Sequence, residues 1–248
     1  MSQVAGIHAV AALIADAPER VRALYVQRGR RDQRMSEVIS AARAHGIRDE
    51  FAERRWLDSR VEGSHQGVLA DCHDLALADE HMLEARWPEL GRPRLVLVLD
   101  GITDPRNLGA CLRSANAAGV DAVLLPRRRS APLNEAALKA AAGGAEGLFL
   151  VEVANLARRL EWLKEQGVWV IGADGSAELD WTDADFRHDC AIVVGSEGEG
   201  MRALTRKLCD HVVRIPMQGT VASLNVSVAT GILLFEVVRQ RGAGVDVL

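Results

Sequence analysis

Residues 95–99 read LVLVL, five aliphatic side chains with no polar break. A strand with one wet face alternates apolar and polar residues. An uninterrupted run is what a strand carries when both faces of its sheet are covered. The stretch therefore predicts a central strand of a parallel sheet. Downstream, apolar segments at 122–125, 148–153, 168–172, 191–194 and 212–215 predict further strands. Helical segments at 108–118, 136–142, 156–165 and 202–209 fall between them, and a last helix runs from a cap at Asn225 to about 239. Gly119 and Gly167 stop two of the helices, and Pro126 and Pro216 end two of the strands. Strand–helix alternation of this kind is an α/β domain with a mostly parallel sheet and helices on both faces, expected here over 94–248.

Upstream, residues 1–73 read as a smaller α/β unit. It has helices at 7–15 and 35–45, the second closed by Gly46, and a short helical segment at 54–60. Strands are expected at 21–26, 47–52 and 67–70, with His65-Gln66 as a structural turn before the last. Residues 74–93 change character. An acidic, alanine-rich run leads to Trp87-Pro88 and Gly91-Arg92-Pro93, which predicts a linker.

The 248 residues are 48% hydrophobic but only 4% aromatic, so aliphatic packing must fill the cores. No window approaches the roughly 18 unbroken apolar residues of a membrane span. The N-terminus, MSQVAGIHAV, lacks the pattern of a secretory signal, so a cytoplasmic protein is expected. Cys72, Cys111, Cys190 and Cys209 lie far apart without CxxC spacing, which argues against zinc and disulfides and for buried thiols. A net charge of −4 does not advertise a nucleic-acid partner. Two arginine clusters do so locally: Arg28, Arg30, Arg31 and Arg34, and then Arg127, Arg128 and Arg129.

Three polar, glycine-bearing loops follow expected strands, where ligands of α/β sheets bind. The first, 100–109, enters the helix that carries Arg113. Asn107 and Arg113 stand about 120° apart around that helix, with Asn107 near its start, either as a cap or facing the loop. The second, Gly195-Ser196-Glu197-Gly198-Glu199-Gly200, is spaced G-x-x-G-x-G rather than as a dinucleotide loop. Its two carboxylates oppose the pyrophosphate of NAD or the phosphates of ATP, and suit a ligand with hydroxyls, an adenine and a cationic centre. The third runs from 215 to 225. Ile215 and Leu224 bracket it, placed to sandwich a flat ring, with Gly195 giving access from below.

NLGACLR at 107–113, GSEGEGM at 195–201 and IPMQGTVASLNVSVATGILLFE at 215–236 resemble the three motifs of the SpoU/TrmH branch of the SPOUT RNA 2′-O-ribose methyltransferases. GIHAV at 6–10 and HQG at 65–67 are similar to the N-terminal RNA-binding domain of the bacterial 23S rRNA guanosine 2′-O-methyltransferases. The resemblance implies a C-terminal sheet whose chain threads a deep trefoil knot, and an RNA-binding domain at 1–73. It implies S-adenosylmethionine held by backbone atoms at Gly195, Ile215 and Leu224. It implies a homodimer in which Arg113 of one subunit completes the other's site, and functional roles for Asn107, Arg113, Glu197, Ser223 and Asn225. The reaction implied is methyl transfer to a guanosine ribose in 23S rRNA. The alternatives are a tRNA ribose methyltransferase of the same family and a non-catalytic RNA-binding or ribosome-assembly protein.

Overall fold

The computed structural model describes residues 2–30, 32–61, 63–73, 75 and 77–242, so Arg31 of the first arginine cluster lies outside the described residues. The N-terminal unit holds β1 (Ser2–Ala5), α1 (Ile7–Asp16), β2 (Val21–Gln27), α2 (Gln33–Ala44), β3 (Arg48–Ala52), α3 (Arg54–Asp58) and β4 (Val68–Cys72). Its sheet runs β1-β4-β2-β3, with only β2 and β3 parallel. Helix α1 buries Ile7, Val10, Leu13 and Ile14, the one-sided spacing of an amphipathic helix. Asp32 caps α2 by accepting the Met35 N–H at 3.1 Å, and Gly46 ends it at φ 71°. Strand β1 was not expected from the sequence. Four residues carry too little pattern, and the strand exists because β4 pairs with it.

The His65-Gln66 turn is structural. His65 is buried; its Nδ1 accepts the Gly67 N–H at 2.9 Å, which leaves Nε2 as the donor to Asp58 at 2.9 Å. Gln66 Oε1 accepts the Ile7 N–H at 3.0 Å and ties the turn to α1. Of the neighbouring arginines, Arg30 bonds Asp32 and the Gln66 carbonyl, and Arg28 pairs with Glu53 at the surface.

Residues 74 and 76 lie outside the described residues, but much of the expected linker is a packed element. Helix α4 (Glu80–Arg86) is capped by Asp79, whose carboxylate accepts the Met82 N–H at 2.8 Å. Leu83 and Trp87 are buried against the larger sheet. Of the acidic residues in the segment, Asp79 is the cap, and Glu80 and Glu84 pair with the buried Arg159 at 3.7 and 2.9 Å.

The larger unit follows as β5 (Leu95–Asp100), α5 (Pro105–Ala117), β6 (Ala122–Pro126), α6 (Glu135–Ala141), β7 (Leu150–Val153) and α7 (Leu156–Glu165). Then come β8 (Trp169–Ala173), β9 (Leu179–Asp180), β10 (Cys190–Gly195), α8 (Ala203–Leu208), β11 (His211–Arg214) and α9 (Val226–Gln240). Residues 243–248 lie outside the described residues. The seven strands are all parallel, in the order β7-β6-β5-β10-β8-β11-β9. The LVLVL run is buried throughout. Leu95, Leu97 and Leu99 face one core with Leu108, Leu112 and Leu233; Val96 and Val98 face the other with Leu83, Leu160 and Leu163.

Register fixes where the loops emerge. Gly195 of β10 stands opposite Asp100 of β5, so the first two loops leave the sheet side by side. β11 lies one strand beyond β10, across β8, and sends the third loop from the same edge. Helices α5 and α9 pack together under these loops, where Cys111 Sγ meets Thr230 Oγ1 at 3.5 Å.

Arg20 and Glu146 join the two units through an ion pair of 3.2 Å with side chains 8% and 3% exposed. All four cysteines are free, and burial pushes each thiol up to about 11, so they stay protonated. Among the described residues no helix is long and apolar enough to cross a membrane, and no cluster of His, Cys, Asp or Glu is arranged to hold a metal.

Candidate active site

The second loop folds back on its own strand. Ser196 and Gly200 exchange two backbone hydrogen bonds of 3.0 Å each. A Cβ on Gly195 would stand 2.0 Å from the Gly200 carbonyl carbon and 2.1 Å from the Met201 nitrogen. Glycine at 195 is therefore required by the chain's own backbone. Gly198 turns the tip at φ 91°, which leaves Glu197 and Glu199 exposed. Asp100 anchors the loop exit. It is 1% exposed and accepts from Arg202 through the backbone N–H at 3.0 Å and through Nε at 2.6 Å.

In the first loop the helix cap is Asp104, which accepts the Arg106 N–H at 2.7 Å. Asn107 sits inside the first turn of α5, not at its cap, and its side chain is left for other work. Gly109 lets α6 press close: an added Cβ would lie 2.1 Å from the Ala137 carbonyl oxygen.

In the third loop Asn225 is the cap of α9, as its sequence position suggested. Its Oδ1 accepts the Ser227 N–H at 3.0 Å and the Ser227 hydroxyl at 2.6 Å. A backbone N–H can only donate, so the orientation of the Asn225 amide is fixed and its Nδ2 points away from the helix. Nδ2 donates to Asn107 Oδ1 at 2.9 Å, and Asn107 Nδ2 donates to Glu197 Oε2 at 2.9 Å. The three loops are thus joined by one hydrogen-bonded chain whose direction is set by a helix cap.

Beside it, a cavity of about 510 Å³ is lined by Asp174, Val213, Ile215, Pro216, Ser223 and Leu224 among others. Burial would raise the Asp174 carboxyl, but hydrogen bonds from Arg206 and Ser176 outweigh it and hold the group below its usual range. Asp174 thus stands ionised at the cavity wall, paired with Arg206, and Arg214, itself paired with Asp180, lines the same cavity.

The structure brings Ile215, Ser223 and Leu224 into one cavity, and Asn107, Glu197 and Asn225 into one polar chain that continues from it. Gly195 does not line that cavity; it lies behind the second loop. Arg113 is exposed on α5 and has no ion pair or side-chain hydrogen bond among the described residues. Asp100, Asp104 and Arg202 support the site without having been singled out. The signal for Asp100 was its position as the first polar residue after LVLVL.

The SpoU rRNA Methylase family profile matches residues 94–235, and a profile described as RNA 2′-O ribose methyltransferase substrate binding matches residues 3–77. A curated relative from Yersinia pestis, 23S rRNA (guanosine-2′-O-)-methyltransferase RlmB, is 51% identical over 96% of this chain and 96% of its own. The crystal structure of the SpoU methyltransferase AviRb from Streptomyces viridochromogenes with AdoMet superposes at a TM-score of 0.80, covering 98% of this chain and 91% of that one at 23% identity. The A. aeolicus TrmH/SpoU tRNA modifying enzyme is 29% identical with a TM-score of 0.56, covering 65% of this chain and 85% of its own. Matched over more than half its length by the family profile, and over nearly all of it by the Yersinia relative, the chain belongs to the SpoU rRNA methylase family.

Proposed function

We propose that this protein transfers the methyl group of S-adenosylmethionine to the ribose 2′-hydroxyl of a guanosine in 23S rRNA. The observation that carries the reading is the polar chain Asn225–Asn107–Glu197, set beside a cavity walled by Ile215 and Leu224. The cavity suits that cofactor. Its apolar residues, Val213, Ile215, Pro216 and Leu224, accept an adenine, and the carboxylate of Asp174 is available to a hydroxyl or a cationic group of the ligand. When bound, S-adenosylmethionine supplies an electrophilic methyl on a positively charged sulfur.

The residues of this chain then have to align the ribose hydroxyl and help remove its proton. The amides of Asn107 and Asn225 have their orientation fixed before any ligand arrives, and Glu197 is anchored by them. We assign to these three the positioning of the nucleotide, and to Ser223 the placement of the loop between Asn225 and the cavity. Arg113 is proposed to act across a homodimer. It has no partner in its own chain among the described residues, and Val228 and Phe235, seven residues apart on α9, are exposed apolar groups suited to a subunit contact. Deprotonating an arginine near pH 7 costs roughly 7 kcal/mol. Arg113 is therefore assigned to clamp a phosphate and stabilise the developing alkoxide rather than to act as base.

The N-terminal unit favours rRNA over tRNA, because the Yersinia relative spans it whereas the tRNA modifying enzyme covers only 65% of the chain. We assign that unit to RNA binding, and cytoplasmic ribosome assembly as the setting. The deep trefoil knot is proposed for this domain on the family resemblance. The test is calorimetric titration with S-adenosylmethionine followed by mapping of ribose methylation on unmodified 23S rRNA and on tRNA. Binding with a single methylated guanosine in the rRNA is expected. Methylation of tRNA alone, or RNA binding without methyl transfer, would refute the assignment.

A further inference from the structure

We infer that the cavity on the other side of the second loop receives the guanine base of the target nucleotide, with Glu199 reading its N1–H and N2–H₂ edge. This rests on the methyltransferase reading above. The cavity, about 720 Å³, is lined by Gly101, Thr103, Arg129, Glu197, Glu199 and Arg202 among others. Glu197 belongs both to this cavity and to the polar chain. The chain's other end, Asn225, adjoins Ser223 and Leu224 of the cavity assigned to the cofactor. The chain is thus a seam between two cavities. A ribose held on the seam has the methyl donor to one side and room for its own base on the other.

Charge decides what the second cavity accepts. Asp100 is committed to Arg202 through two side-chain contacts of 2.5 and 2.6 Å. Glu197 and Glu199 remain at the lip, and a phosphate placed between them is repelled. A base edge made of donors is attracted. Guanine alone among the four RNA bases offers two adjacent donors, N1–H and N2–H₂, which match the two oxygens of a carboxylate. Glu197 is already engaged by Asn107, whereas Glu199 has no hydrogen-bond or ion-pair partner among the described residues. Arg129 lines the same cavity on a loop tied to the first by the Ala131 N–H to the Ile102 carbonyl, 2.6 Å. Its neighbour Arg127 is committed to Glu152 at 2.7 Å. The free guanidinium of Arg129 suits the O6 and N7 atoms of the same base.

The test uses the full-length protein and 23S rRNA transcripts in which the methylated guanosine, once mapped, is replaced by inosine. Inosine keeps N1–H, O6 and N7 and lacks only the N2 amine. The wild type is expected to favour guanosine about tenfold in kcat/KM, and Glu199→Gln to cut that preference to about twofold or less with the Kd for S-adenosylmethionine unchanged. Arg129→Ala is expected to slow both substrates by a similar factor. A preference that stays near tenfold in Glu199→Gln, or a wild type indifferent to inosine, would overturn the base-reading role and leave the methyltransferase assignment intact. No methyl transfer to the natural transcript would overturn both.

Discussion

Arg20 and Glu146 meet between the two sheets almost wholly out of water, and each leaves one buried atom, Arg20 Nε and Glu146 Oε2, without a hydrogen-bond partner. The chain Ser227–Asn225–Asn107–Glu197 joins three loops at the sheet's edge, half open to solvent, and both asparagine amides use both of their ends. The first network is costly and imperfectly satisfied, and it sits where it fixes one unit against the other. The second is complete but lies where water competes for every bond, so it adds little to stability. A finished polar chain in a place where it stabilises little points to a role toward a ligand.

The sharpest way to break this contrast is Arg20→Ala. It strands a buried carboxyl and is expected to cost about 3–5 kcal/mol, read from the urea midpoint at unchanged m-value. Replacing both partners with apolar residues of similar size is expected to recover most of that loss, because the burial cost leaves with the charges. A loss below about 1 kcal/mol in the single variant would mean that the two units do not depend on this contact.

Asn225→Ser sharpens the other half. Serine caps a helix about as well as asparagine, so stability should change by no more than about 0.5 kcal/mol. The donor to Asn107 disappears, the orientation of the Asn107 amide is released, and methyl transfer should fall roughly 10- to 100-fold, about 1.4–2.7 kcal/mol. Single-turnover methylation of rRNA beside a thermal melt separates the two readouts. Unchanged activity would reduce the polar chain to a loop fastener.

These two networks also differ in how far the sequence foretold them. LVLVL announced a central strand because nothing but two covered faces tolerates such a run, and the strand–helix alternation after it followed the same periodicities. Asn225 was readable as a cap because caps are local. Strand β1 and the two-residue β9 were not readable, since each is made by its neighbour. Helix α4 resembled a linker because only Leu83 and the adjoining Trp87 reach the core. Asn107 and Glu197 lie 90 residues apart, and Arg20 and Glu146 lie 126 apart. No spacing rule connects such pairs. The first pair was anticipated only through family resemblance, and the second not at all. Gly195 was expected to give the cofactor close backbone approach; the neighbour it accommodates in the structure is the loop's own backbone.

The smallest effect bears on the buried pair. Burial raises the Glu146 carboxyl above its ordinary 4.5, and it outweighs the attraction of Arg20. A carboxyl raised on folding binds its proton more tightly in the folded chain. Its contribution to stability is complete below the unfolded pKa and is lost as pH climbs through the folded one. Glu146→Gln removes the titration while keeping the shape. The stability difference between wild type and variant should therefore decline as pH rises from about 4.5 and then level off, in urea titrations at closely spaced pH. Had the ion pair prevailed, the folded pKa would lie below 4.5 and the difference would instead grow with pH below that value. The slope of that difference reports which force dominates where the two units meet. A rising slope would make the Arg20 contact a net attraction, and the contrast with the open asparagine chain would narrow accordingly.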